Sequence, residues 1–184
     1  MKTLEFDLSE MLRLFEEKRV FDLRGIGSRL IREAALGNDY AKAELGVIAY
    51  ALHKIETKPH FINSPQWVKI KQLIATNFNI AKSAVDKGDE KQFMDALKMI
   101  IKNIVNIDNE LGNYAQNVYD KAKVKQASLA YSYGLSLAQA AALTGADQKE
   151  LQSYIGFTTM NHEEPESKNI TQRVKELKEI LESN

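Results

Sequence analysis

The pattern of helix-breaking residues constrains the fold of this sequence more than any other feature. Only three prolines and nine glycines occur among 184 residues, and we expect nearly all of them at helix ends. Between them, apolar residues recur at spacings of three and four, and no Asn-Gly or Asp-Gly hairpin signal occurs. The sequence therefore predicts an all-α protein, in which a helical bundle is followed by a helix-turn-helix unit and a C-terminal amphipathic helix.

The predicted bundle covers residues 1–113. The first helix is expected to start near Asp7, the second to cover residues 21–36 and the third to cover residues 38–55. Glu56–Pro65 is expected to be the longest non-helical stretch, and Ser64 is expected to cap the helix that follows it. A fifth helix follows Asp89, and its apolar stripe should be buried against 67–85 and 41–55. That stripe consists of Phe93, Leu97, Ile100, Ile104, Ile107 and Leu111.

Residues 114–160 form the predicted helix-turn-helix module. Ser136 with Gln139 has the spacing of a capping box, and Asp147 with Glu150 repeats it eleven residues later. Between them, Gly145 would end one short helix so that the next can leave at a steep angle. The small Ala141 before the glycine and the aliphatic Leu151 after it have the offsets of a helix-turn-helix. We therefore expect three consecutive helices with turns at Gly134 and Gly145.

Two uses of this module stay open at the level of sequence: DNA binding, or a helical corner used for packing or protein contact. Lys+Arg and Asp+Glu both number 25, so DNA binding would have to come from a local patch. The residues that could contribute to one are Gln148, Lys149, Gln152 and Ser153 on the second helix, and Lys121, Lys123 and Lys125 on the preceding one.

A resemblance adds to this interpretation. The run LAYSYGLSLAQAAALTGA (129–146), followed by ELQSYIG (150–156), resembles the short helix-turn-helix of small prokaryotic antitoxin-like proteins. Their C-terminal tails are similar to QRVKELKEI (172–180) here, and the resemblance implies that such a tail grips a protein partner, often a nuclease toxin of the PIN type. Residues 161–184 would then be a linker and a partner-binding helix. The apolar stripe of that helix is Ile170, Val174, Leu177 and Leu181.

No pattern in the sequence favours catalysis, and we expect no cofactor. Cysteine is absent, and His53, His60 and His162 are too scattered for a metal site. The leading hypothesis is a non-enzymatic regulatory protein that binds a protein partner; whether its helix-turn-helix also binds DNA stays open. Two alternatives are an enzyme subunit whose site forms only on self-association, and a nucleic-acid-binding accessory protein with a lysine-rich bundle face. That face would comprise Lys69, Lys71, Lys82, Lys91, Lys98 and Lys102.

The expected compartment is the cytoplasm. The first residues of the sequence lack the apolar core of a signal peptide, and no apolar run approaches the roughly 20 residues that a membrane-spanning helix needs.

Overall fold

The computed structural model describes residues 2–110 and 118–161, and the side chains of 3–106 and 118–158. These ranges are almost entirely α-helical and contain no strand, which confirms the predicted fold class. The helices are α1 (Lys2–Glu16), α2 (Val20–Gly37), α3 (Tyr40–Glu56), α4 (Pro59–Ile62), α5 (Trp67–Lys87), α6 (Glu90–Glu110), α7 (Val118–Ser132), α8 (Leu137–Thr144) and α9 (Gln148–Asn161).

Two helical hairpins, α2–α3 and α5–α6, form most of the bundle, and α1 packs on α5. α3 is buried nearly all round, as its apolar sequence predicts, and Asp39 caps it by accepting a hydrogen bond from the Lys42 N–H at 3.0 Å. Four residues of the predicted α6 stripe are buried: Phe93, Leu97, Ile100 and Ile104. The side chains of Ile107 and Leu111 lie outside the described residues.

Glycines inside helices, rather than at their ends, let α2 and α3 approach closely. A Cβ atom on Gly46 would lie 2.8 Å from Cγ1 of Ile31 and 3.1 Å from the carbonyl oxygen of Gly27. Gly27 faces the same contact from the other side, since its Cβ would lie 3.1 Å from the Gly46 oxygen. The expectation that nearly all glycines end helices was therefore wrong: packing requires Gly27 and Gly46 inside helices, and Gly25 and Gly156 also lie inside helices, without a close contact.

The stretch 56–65 also differs from its prediction. Pro59 starts a one-turn helix, α4, in the middle of it. Ser64 does not cap α5: Gln66 occupies the cap position without a side-chain hydrogen bond, and the Ser64 hydroxyl is buried with no partner among the described residues. Phe61 accounts for the local conformation, because this side chain is buried in the bundle core and ties the stretch to it.

Two buried apolar clusters meet at α7. The larger one joins α1 to α6 and ends on Val118, Tyr119 and Ala122 of α7. The smaller cluster contains later residues of α7, such as Ala127, together with α8 and α9, and it is completed by side chains of α2 and α3, such as Ala43. The proposed division of the chain at 113/114 and 160/161 stays a prediction.

A partly buried ion-pair network joins α1, α2 and α3. Arg29 donates to Asp7 at 2.8 Å and to Glu33 at 3.0 Å, and Glu33 also accepts from Lys42. The Lys42 ammonium holds the pKa of Glu33 below its ordinary value. Arg29 is therefore engaged in ion pairs within the fold.

Candidate functional site

Two turns join α7, α8 and α9, at the positions that the sequence predicts. Ser136 caps α8: its hydroxyl accepts from the Gln139 N–H at 3.2 Å, and the Gln139 side chain accepts from the Ser136 N–H at 3.0 Å. Gly145 ends α8 in the left-handed region with φ +67°, and Gly134 has φ +100°. The three predicted helices and both glycine turns are confirmed.

The start of α9 and its buried side follow from the same pattern. The Asp147 carboxylate accepts hydrogen bonds from the N–H groups of Lys149 and Glu150, both at 2.9 Å. Leu151 is fully buried and Ala141 nearly so, both in the smaller apolar cluster. The small and aliphatic positions therefore hold α9 against α7 and α8, and the polar residues of α9 are left outside.

The structure separates the predicted DNA-binding residues into two groups. All four residues predicted on α9 are exposed: Gln148, Lys149, Gln152 and Ser153. Of the α7 lysines, Lys121 is also exposed. Lys123 and Lys125 are half-buried and make intramolecular contacts.

Each of these half-buried lysines contacts a tyrosine. Lys123 is 3.0 Å from the Asp120 carboxylate and lies over the Tyr119 ring, 4.9 Å from its centroid. Lys125 donates to the Tyr154 hydroxyl at 2.7 Å and lies 5.2 Å from the centroid of that ring, so it joins α7 to α9. These contacts weaken the case for both lysines as phosphate ligands.

A cleft of about 520 Å³ lies between α3, α7 and α9. We call it the α3–α7–α9 cleft. Each helix contributes a pair of side chains four residues apart, which therefore point to the same side of the helix. The three pairs are Tyr50 and Lys54 on α3, Lys121 and Lys125 on α7, and Glu150 and Tyr154 on α9. Val118, Asp120, Ala122 and Val124 complete the lining.

The cleft carries more positive than negative charge that is not already paired. Among the described residues, no carboxylate forms an ion pair with Lys54, Lys121 or Lys125. Asp120 is already paired with Lys123, which leaves Glu150 as the unpaired carboxylate of the lining. The cleft thus combines mainly apolar walls with three ammonium groups that form no ion pair among the described residues, and they outnumber the one unpaired carboxylate, Glu150.

Tyr119 fixes α7 on α3 beside this cleft. Its hydroxyl donates a hydrogen bond to the Glu44 carboxylate. Burial, and then the negative charge of Glu44, raise the pKa of the Tyr119 phenol far above its usual range, so the group stays protonated and acts as a donor. This bond sets the distance between two of the three helices that line the cleft.

The other residues singled out in the sequence have structural roles or lie elsewhere. Lys71 does not belong to a solvated lysine face, because it pairs with the buried Glu56 at 3.0 Å and lies over the Phe15 ring. Of the remaining residues of that face, Lys82 is half-buried; Lys69, Lys91, Lys98 and Lys102 are exposed. The tail residues Ile170, Val174, Leu177 and Leu181 lie outside the described residues.

The two histidines that the structure describes, His53 and His60, contact a backbone oxygen and an aromatic ring respectively. His53 is buried, and its Nδ1 lies 2.8 Å from the Val20 carbonyl oxygen. Burial lowers the pKa of this imidazole. His60 is exposed and stacks on Phe61, and His162 is outside the described ranges. No group of three or more His, Asp or Glu side chains within those ranges is placed to hold a metal ion.

Comparison with known proteins gives no family assignment: no family model matches the chain, and neither the curated proteins nor the solved structures include a significant match. Within residues 2–110 and 118–161, no helix has both the length and the apolar character needed to cross a membrane.

Proposed function

We propose that this protein is a non-enzymatic, antitoxin-like regulatory protein, which binds a protein partner through its C-terminal stripe and the adjoining α7–α9 unit. The observation that carries the proposal is that aromatic side chains are exposed on the helices that precede the stripe in sequence; Phe6, Phe21 and Tyr40 are exposed on α1 to α3 as well. Phe157 is 74% exposed, Tyr131 42% and Tyr133 41%. Aromatic side chains are enriched in the centres of protein interfaces, and leaving such rings in water is unfavourable.

The tail supplies the second half of the proposed surface. Its stripe of Ile170, Val174, Leu177 and Leu181 has helical spacing. A helix of about a dozen residues is marginal in water without a surface to pack on. The resemblance to antitoxin-like proteins names the partner class, a nuclease toxin.

Partner binding is tested with the full chain as bait and two disruptive variants. Leu177→Lys places a charge on the stripe, and Phe157→Ser removes the most exposed ring of α9. Lys175→Ala, which lies off the predicted stripe, is the matched control. A partner that fits the proposal is a ribonuclease whose activity the full chain inhibits. Its capture should be lost with Leu177→Lys and weakened with Phe157→Ser, but kept with Lys175→Ala. If all three variants captured the partner equally well, the partner would not bind through the C-terminal stripe and Phe157, and the proposal would be refuted.

DNA binding is the second candidate function, favoured by the exposed polar start of α9. Lys121 and Lys149 are the lysines of the α7–α9 unit that remain exposed. If each neutralises one phosphate, the slope of log K against log salt should be about −2, from the usual −0.9 per phosphate on duplex DNA.

Fluorescence anisotropy of a labelled duplex over a salt series measures that slope. Gln148→Ala and Gln152→Ala should change the sequence preference and leave the slope as it is. A much steeper slope would place the nucleic acid on another surface, such as the exposed lysines of α5 and α6. No binding at low salt would exclude this second function.

A further inference from the structure

The three ammonium groups of the α3–α7–α9 cleft outnumber its one unpaired carboxylate, Glu150, and form no ion pair among the described residues. Lys54 lies over the Tyr50 ring, 5.5 Å from its centroid, and Lys125 contacts Tyr154. Both lysines therefore lie against aromatic side chains of the cleft lining. Lys121 lies on the same side of α7 as Lys125, four residues earlier. An anionic chain segment with apolar neighbours fits this lining.

Such a segment follows α9 directly in the sequence. The last described residue is Asn161, and the next five residues include three glutamates, Glu163, Glu164 and Glu166. They are followed by the stripe that begins at Ile170. Three carboxylates thus lie a few residues away from a cleft that carries three unpaired ammonium groups.

The chain is long enough to bring them together. Tyr154 lines the cleft seven residues before the end of α9, which corresponds to about 10 Å of helix at 1.5 Å per residue. Residues 162–166 can span about 17 Å when extended, at about 3.4 Å per residue. If the chain turns back along α9, the backbone at Glu164, three residues after Asn161, just reaches the level of Tyr154 at about 10 Å, and the backbone at Glu166 can pass it.

We propose that the acidic stretch Glu163–Glu166 binds in the α3–α7–α9 cleft of its own chain and pairs with Lys54, Lys121 and Lys125. The contact would anchor the partner-binding stripe beside the α7–α9 unit instead of leaving it separate from the fold. It builds on the proposed role of the stripe, because it defines where that stripe is presented. It can be tested without any partner.

The absence of cysteine from the chain allows a direct test by disulfide trapping. Lys54→Cys combined with Glu164→Cys introduces one thiol in the cleft and one in the acidic stretch of the full-length protein. The matched control is Lys69→Cys with Glu164→Cys, since Lys69 is exposed on α5, a helix that packs on α1, α4 and α6. Mild oxidation of dilute protein should trap the cleft pair within one chain several-fold faster than the control pair. Equal rates for the two pairs would overturn the proposal.

Charge reversal separates specific pairing from chance encounter. Lys121→Glu should slow trapping of the cleft pair several-fold, and adding Glu166→Lys should restore much of the rate by reversing the pair. Lys149→Glu, exposed on α9 and outside the cleft lining, is the control that should leave the rate unchanged. Raising the ionic strength from about 0.05 M to about 0.5 M should slow trapping as well, because exposed ion pairs are screened. If neither Lys121→Glu nor added salt changed the rate of disulfide formation, the proposed ion pairing would be overturned.

A second copy of the chain is the competing occupant of the cleft. Mixing the Lys54→Cys protein with the Glu164→Cys protein tests it, since only a contact between copies can then form a disulfide. Dimers that form as fast as the intramolecular product would overturn the assignment to the same chain. If the disulfide forms but the capture experiment yields no partner, the proposed function is refuted and this contact stands. If a partner is captured but the disulfide does not form, the contact is refuted and the proposed function stands.

Discussion

The close approach of α2 and α3 predicts that alanine has opposite effects at two glycines of similar local context. Gly25 lies inside α2 with no atom within 4 Å of an added Cβ. Gly25→Ala should therefore stabilise the protein by about 0.5–1 kcal/mol, the difference between the two residues in a helix interior. At Gly46 the same helical gain is opposed, because the new methyl would meet Cγ1 of Ile31 at 2.8 Å and the backbone oxygen of Gly27 at 3.1 Å.

The helical gain is common to both variants, so the difference between them isolates the packing conflict. Inserting a methyl group into a tightly packed core typically costs about 1–3 kcal/mol. Ile31 is fully buried and Gly27 presents backbone, so neither neighbour can move aside freely. Gly46→Ala should therefore be about 1–3 kcal/mol less stable than Gly25→Ala.

Urea unfolding followed by circular dichroism at 222 nm measures both free energies, with Gly25→Ala as the matched control. Combining Gly46→Ala with Ile31→Ala adds a second check: the alanine at position 46 should be less harmful once the Ile31 atoms that it meets are gone. If Gly46→Ala stabilised the protein as much as Gly25→Ala, the close packing of α2 on α3 would be refuted.

Three further predictions concern the core, a turn and pH. Ile104→Ala should cost about 2–5 kcal/mol in urea unfolding, as expected for a fully buried aliphatic side chain; a loss well below about 1 kcal/mol would contradict its burial. Gly145→Val should destabilise by at least about 1–2 kcal/mol because φ is +67°, whereas Gly145→Asn should retain most of the stability; equal melting temperatures for the two would argue against the turn. Burial lowers the folded-state pKa of His53, so its contribution is complete above the unfolded value of about 6.5 and is lost as the pH falls toward the folded pKa. The free energy of unfolding should therefore fall as the pH is lowered below about 6.5, and His53→Gln should make it depend less on pH in that range.

The features that could be predicted from the sequence are those encoded within a few residues. The capping box of Ser136 and Gln139, the turn at Gly145 and the burial of Leu151 each depend on neighbours along one helix or turn. The stripe from Phe93 to Ile104 is another example, since helical spacing alone places these side chains on one face.

The features that were missed depend on contacts between residues far apart in sequence. Lys71 has the spacing of a solvated lysine, yet it pairs with Glu56 of another helix. Ser64 before Pro65 has the form of a helix cap, yet its environment is set by burial in the bundle. The cleft could not be predicted for the same reason. Each of its three helices has two lining residues four positions apart, at least one of them Tyr or Lys, but this pattern indicates a cleft only once the helices are known to be adjacent.

The division of α7 between two apolar clusters has a mechanical consequence. Its first turns contribute Val118 and Ala122 to the bundle core, and its later turns contribute Ala127 to the cluster that contains α8 and α9. A fragment that began at residue 118 would leave Val118 and Ala122 in water, and a fragment that ended before it would uncover Ala43 of α3. α7, α8 and α9 should therefore share one cooperative opening transition with the bundle in native-state hydrogen exchange, so a force applied at the end of α9 would be transmitted into the core of the bundle.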